Sequence, residues 1–179
     1  MNELRTMDRV GVIAKVLCAL SLAVACAPAW SDTGKANYEM AFFTDSAEGS
    51  KILSGSYQKA IDKITQKIHG DDSLHVKTNL CVAYTKAGDI AAAEAACDAA
   101  VVAAKSFRKV RRSGFAVETS SQVRSRYMAI ALSNRGVLNA VKGNFAAARA
   151  DFDAALAQQA RVSSVHANLQ KLDTVEESA

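Results

Sequence analysis

Residues Asn79 to Ala100 constrain the fold more than any other part of this chain. Their sequence, NLCVAYTKAGDIAAAEAACDAA, holds two Ala-rich segments on either side of Gly88-Asp89. Alanine has the highest helix propensity, glycine accepts the left-handed conformation that ends a helix, and aspartate caps the next helix start. The stretch therefore reads as helix, turn, helix. Its features return on both sides. Gly55-Ser56-Tyr57-Gln58-Lys59-Ala60-Ile61 opens a similar second helix one repeat length before the Gly88 turn, and Gly143-Asn144-Phe145-Ala146-Ala147-Ala148-Arg149 opens another further downstream. Repeats of this size are stacks of helix pairs, each burying a face on its neighbour, and such stacks present extended binding surfaces.

The first residues belong to a different kind of segment. Arg5, Arg9 and Lys15 give a basic start, Val16 to Ala27 is apolar and uncharged, and small residues surround Ala29 to Ser31. That order is expected of a secretory signal peptide cleaved at about residues 29–31. The apolar run is shorter than the ~20 residues a helix needs to span a bilayer. A competing reading is that Leu22-Ala23-Val24-Ala25-Cys26 resembles a lipobox, in which Cys26 carries a lipid and anchors the chain to a bacterial envelope. The expected location is thus periplasmic or secreted, or lipid-anchored. Cys81 and Cys97 are the cysteines beyond the leader. An oxidising compartment invites a disulfide between them. They sit on the two helices of one unit at levels that do not directly face each other, so two small buried thiols are the alternative.

Composition narrows the class. Lys and Arg number 22 and Asp and Glu 18, for a formal net charge of +4. The leader's Arg5, Arg9 and Lys15 outweigh its Glu3 and Asp8, so the remainder carries less still. No nucleic-acid partner is expected from so small a charge. The single proline is Pro28, in the leader. A chain without proline beyond its leader and rich in Ala, Lys, Gln and Leu is expected to be all-α. Division falls at 1–31 (leader), 32–50 (a partly flexible N-terminal segment), 51–172 (helical repeats) and 173–179 (an acidic, disordered tail).

Periodicity places the helices. Tyr57, Ala60, Ile61, Ile64 and Ile68 form one apolar stripe, with Gly70 closing that helix and Asp71 or Asp72 capping the next. A helix from about Ser73 to Lys86 precedes Gly88. The helix after Asp89 is expected to run to Arg112, and a long one from about residue 120 to Lys142. Asn144 is expected to cap the helix bearing Phe145, Ala148, Phe152, Ala155 and Leu156. A last helix spans about Ser164 to Leu172.

These residues resemble the tetratricopeptide repeat, a helix-turn-helix unit of about 34 residues. Matching residues are Asn79-Leu80, Ala83-Tyr84, Gly88-Asp89, Ala93 and Ala100 in the central unit. In the later unit they are Asn134, Gly136, Gly143-Asn144-Phe145, Ala148, Phe152 and Ala155-Leu156. Gly55, Tyr57, Ala60 and Ile61 match only a second helix, and Asn168-Leu169 the opening of a final capping helix. Lys77 and Leu132 stand where the repeat has a large aromatic, and the unit-ending proline is absent. Extra sequence, more than half a repeat long, separates the two full units. The resemblance implies antiparallel helix pairs in an α-α superhelix, here with an extended helical insertion. An unrelated bundle of α-α hairpins is the alternative.

The resemblance further implies a concave groove lined by first helices. His75, Thr78, Asn79, Val82 and Lys86 would face it from the central unit, and Ile130, Ser133, Asn134, Val137 and Val141 from the later one. Asn79 and Asn134 have the donor and acceptor needed to pin a peptide backbone by bidentate hydrogen bonds. The other reading is that the protein's own N-terminal segment covers this face. Lys105, Arg108, Lys109 and Arg112 recur at helical spacing and form a basic stripe. It suits an acidic partner or anionic surface, or is simply a solvated face.

Catalysis has no candidate set. His69, His75 and His166 lack metal-ligand spacing, Cys81 and Cys97 lack a CxxC partner, and no nucleophile elbow or phosphate loop appears. Glu94 and Asp98 read as ordinary helix surface. The expected function is a non-catalytic interaction module without cofactor or metal, binding a protein or peptide. A lipid-anchored assembly factor, a self-associating oligomer and a small enzyme using Cys81 or a carboxylate in the groove remain as alternatives.

Overall fold

The computed structural model describes residues 37–67, 73–107, 120–159 and 161–178. Among these, seven helices follow an extended segment: α1 (Ala47–Leu53), α2 (Tyr57–Lys67), α3 (Leu74–Ala87), α4 (Ile90–Ser106), α5 (Ser120–Val141), α6 (Phe145–Gln158) and α7 (Ser163–Glu176). The described residues are all-α, with no strand among them.

Each helix packs on the next in the chain, and α3 also touches α5 as α5 touches α7. The contacts that hold the pairs recur at the same places. In α4, Ala93, Cys97 and Ala100 are fully buried, and so are Ala148, Phe152 and Ala155, which stand at the same mutual spacing in α6. Ala60 and Ile64, spaced as Ala93 and Cys97 are, hold the corresponding places in α2. Small side chains on this stripe let helix backbones approach closely. Gly136 shows how closely: a β-carbon there would lie 2.8 Å from the Phe152 ring. Gly88 and Gly143 turn the chain with φ of 84° and 78°, a region that disfavours any side chain.

Cys81 and Cys97 form a disulfide between α3 and α4, with Cα atoms 4.6 Å apart. Their levels do match, because each lies about two turns from Gly88-Asp89 on its own helix. Closing a loop of 16 residues restricts the unfolded chain by about 3 kcal/mol.

Several expectations require correction. The second helix of the central unit does not reach Arg112. It ends at Ser106, where Phe107 turns extended and sets its ring edge-on to Tyr127 of α5, centroids 4.8 Å apart. Ser73, not Asp71 or Asp72, caps α3, its hydroxyl accepting from the Val76 N–H at 3.4 Å. Asp89 caps α4 as expected, but Asn144 makes no side-chain cap bond to α6. The acidic tail is helix as far as Glu176, because Asp173 and Glu176 both meet Arg149 of α6. Ile68, His69 and Gly70 lie outside the described residues, as do Cys26 and the rest of the leader.

Candidate functional site

Helices α3, α5 and α7 each bring one asparagine to the same face. Asn79, Asn134 and Asn168 are almost wholly buried, at 2%, 0% and 0% exposure. An amide side chain in such a place must find partners for both its ends. It finds them on the extended segment that precedes α1. Asn168 accepts from the Glu39 N–H at 2.8 Å and donates to the Glu39 carbonyl at 2.8 Å. Asn134 does the same for Ala41, at 2.9 and 2.8 Å. Asn79 does so for Phe43, at 2.8 and 3.0 Å.

The geometry follows from extended backbone. In a strand, the N–H and C=O of one residue point to the same edge, and every second residue repeats the arrangement. Residues 39, 41 and 43 therefore present identical pairs of groups, spaced about 6.6–6.8 Å apart. Each asparagine takes one pair, as a neighbouring strand would. The segment thus runs from α7 across α5 to α3.

Lysines complete the grip. Lys86 donates to the Tyr38 carbonyl at 3.1 Å, and Lys171 to the Asn37 carbonyl at 2.7 Å. Burial, and then the nearby charge of Lys171, hold the Lys86 ammonium below the usual lysine range. At the other end Phe43 stacks on His75, centroids 3.8 Å apart, and Tyr127 meets both rings edge-on.

Side chains 38, 40 and 42 take the inward face. Tyr38 belongs to the core cluster of Val137, Val165 and Leu172. Met40 packs on that cluster and on the one around Cys81 and Leu138. Phe42 packs with Ile52, Ile61 and Val82. The Tyr38 hydroxyl is buried without a hydrogen-bond partner. Burial, reinforced by the charge of Glu176, raises its pKa above the ordinary 10.0.

Of the residues expected in the groove, His75, Asn79, Lys86 and Asn134 touch this segment directly. Val82 and Val137 lie buried beneath it, and Val141 packs beside them. Ile130 is half-buried. Thr78 is not a groove donor: it is 1% exposed and its hydroxyl bonds the Leu74 carbonyl of its own helix at 2.8 Å. Ser133 is likewise buried. The face is not an open groove, for the chain's own residues 37–44 fill it. Lys105 stands exposed on the last turn of α4, while Arg108, Lys109 and Arg112 lie outside the described residues.

Asn168 and Lys171 are site residues that the repeat pattern alone does not single out. A signal exists in the sequence, since Asn168 follows Asn134 by one repeat length, but the rest of its helix matches only a cap. Glu94 and Asp98 also do more than decorate α4. Glu94 pairs with Lys142, and Asp98 with Arg135 at 3.0 Å. Arg135 grips buried Asp151 at 2.7 and 3.0 Å, tying α4, α5 and α6 together. Among the described residues no group of three or more metal-capable side chains comes together, and no helix is long and apolar enough to cross a membrane. Comparison of the chain with family models, curated proteins and solved structures yielded no match.

Proposed function

We propose that this chain is an exported, non-catalytic interaction module of the tetratricopeptide type, which binds an extended peptide or protein segment across α3, α5 and α7. The observation that carries the reading is the asparagine ladder. Asn79, Asn134 and Asn168 read main-chain groups and nothing else. A surface with that property accepts extended chains as a class, which is how grooves recognise peptides through backbone hydrogen bonds. The recurrence of Ala93, Cys97 and Ala100 as Ala148, Phe152 and Ala155 supports the repeat assignment. The signal-like leader supports export to a periplasm or beyond, and a buried disulfide fits an oxidising compartment.

Selection from a random-sequence peptide display library against the full chain tests the reading. Binders are expected whose retention falls about tenfold or more in the Asn134→Ala protein, since each bidentate pair contributes about 1–3 kcal/mol. A selection that yields no binder dependent on any of the three asparagines would count against the groove.

A further inference from the structure

Because the ladder grips only backbone, selection among extended chains falls to the side chains on the opposite face. There the bound segment marks three subsites, in addition to the packing of Phe43 on His75 and Tyr127 at its end. The first receives Tyr38 among Val137, Val165 and Leu172. The second receives Met40 between a cluster of α5 to α7 and one of α3 to α5. The third receives Phe42 against Ile52, Ile61 and Val82. Glu39, between the first two, is exposed. The subsites thus demand an apolar residue at every second position, alternating with the residues whose backbone the asparagines hold.

The present occupant fits the first subsite imperfectly. Its phenol oxygen is buried with no partner, a desolvation cost that an aromatic or aliphatic side chain without a hydroxyl avoids. To the lysine pair the segment presents two carbonyl oxygens and one carboxylate, that of Glu39 at 3.5 Å from Lys171.

We propose that residues 37–44 are an internal ligand, and that the partner is an extended segment with apolar residues at every second position, the first lacking a hydroxyl, which displaces them. This rests on the peptide-binding reading above and adds to it both the recognition pattern and a competition within the chain. Two substitutions in the internal ligand then act on partner binding in opposite directions. Met40→Asp puts a carboxylate into an apolar subsite, loosens the segment and exposes the groove. Tyr38→Phe improves the fit and closes it. Neither residue belongs to the groove itself.

The probe is a fluorescein-labelled synthetic peptide with the sequence of residues 35–46 and Tyr38→Phe, titrated into the full chain. A control peptide has its apolar residues shifted by one position. Relative to the unaltered protein, Met40→Asp is expected to bind the probe about tenfold tighter or more and Tyr38→Phe about threefold weaker. The phase-shifted control is expected to bind about tenfold less well. Equal affinity in all three proteins would overturn the internal-ligand proposal while leaving the groove reading intact. Binding by none of them would remove both. Hydrogen exchange on the unaltered protein needs no variant. The amides of Glu39, Ala41 and Phe43 are expected to open while the α5 amides stay protected. Exchange of the three only together with α5 would make the segment a fixed part of the core and end the proposal.

Discussion

Burying an asparagine strips its amide of water, and at Asn79, Asn134 and Asn168 the loss is offset by two hydrogen bonds apiece to one residue of the segment. Aspartate would accept from the N–H but could not donate to the carbonyl, and leucine would leave both groups stranded. Tyr38 is the opposite case, a polar atom buried without such relief. Its raised pKa has a thermodynamic consequence. In the unfolded chain the phenol ionises near 10, whereas the folded site resists ionisation to higher pH. The folded state therefore holds the proton more tightly, and stability is full below pH 10 and lost as pH rises through the folded value. Lys86, whose pKa is lowered, shifts stability in the other direction as pH approaches 10.5. Comparing urea midpoints of the unaltered and Tyr38→Phe proteins from pH 8 to 11 cancels the lysine contribution. The Tyr38→Phe protein is expected to be equally or more stable at pH 8 and to show a shallower alkaline decline. A parallel decline in both proteins would show that Tyr38 does not control it.

At the scale of helices, local pattern carries most of the information and long-range contact the rest. The stripes that place α2, α4 and α6 are visible in the sequence because small and apolar residues recur at helical spacing. Asn79 and Asn134 are legible as groove residues because a polar residue holds the same place in two similar helices. Asn168 stands at the matching place one repeat length on, but the rest of its helix reads as a cap, so its part in the groove shows only through its bonds to Glu39. The end of α4 at Ser106 depends on the Phe107 ring meeting Tyr127, and the helical tail on Arg149 meeting Asp173. Both partners are remote in sequence, so propensity alone misjudges both ends. The same limit hides Arg135, which joins Asp98 of α4 to Asp151 of α6. Asp151 is 7% exposed, so removing Arg135 leaves a buried carboxylate with only the neutral Asn139 amide, which donates to it at 3.0 Å. Arg135→Met is expected to cost about 2 kcal/mol in chemical denaturation, and adding Asp151→Leu to recover part of that. Equal losses in the single and double variants would show that the ion pair is not the source.

Across the whole molecule, one close approach ties the segment to the body. A β-carbon on Gly49 of α1 would sit 2.0 Å from the Phe43 carbonyl oxygen, the atom that Asn79 holds from the other side. Backbone cannot yield as a side-chain tip would, so Gly49→Ala is expected to lift Phe43 and Thr44 away from α3. Limited proteolysis should then cut within residues 38–46 several times faster, with helix content unchanged. Cleavage at the original rate would mean that the segment is secured elsewhere. The ladder also behaves as a gauge indifferent to how much chain lies between its rungs. Far more sequence separates Asn79 from Asn134 than Asn134 from Asn168, yet each interval spans the same two steps of bound segment. Pitch is set by the stacking of α3, α5 and α7, and residues added between α4 and α5 contribute length without a step. That junction is therefore where further sequence, or a reporter domain placed by design, can be accepted without altering what the groove reads.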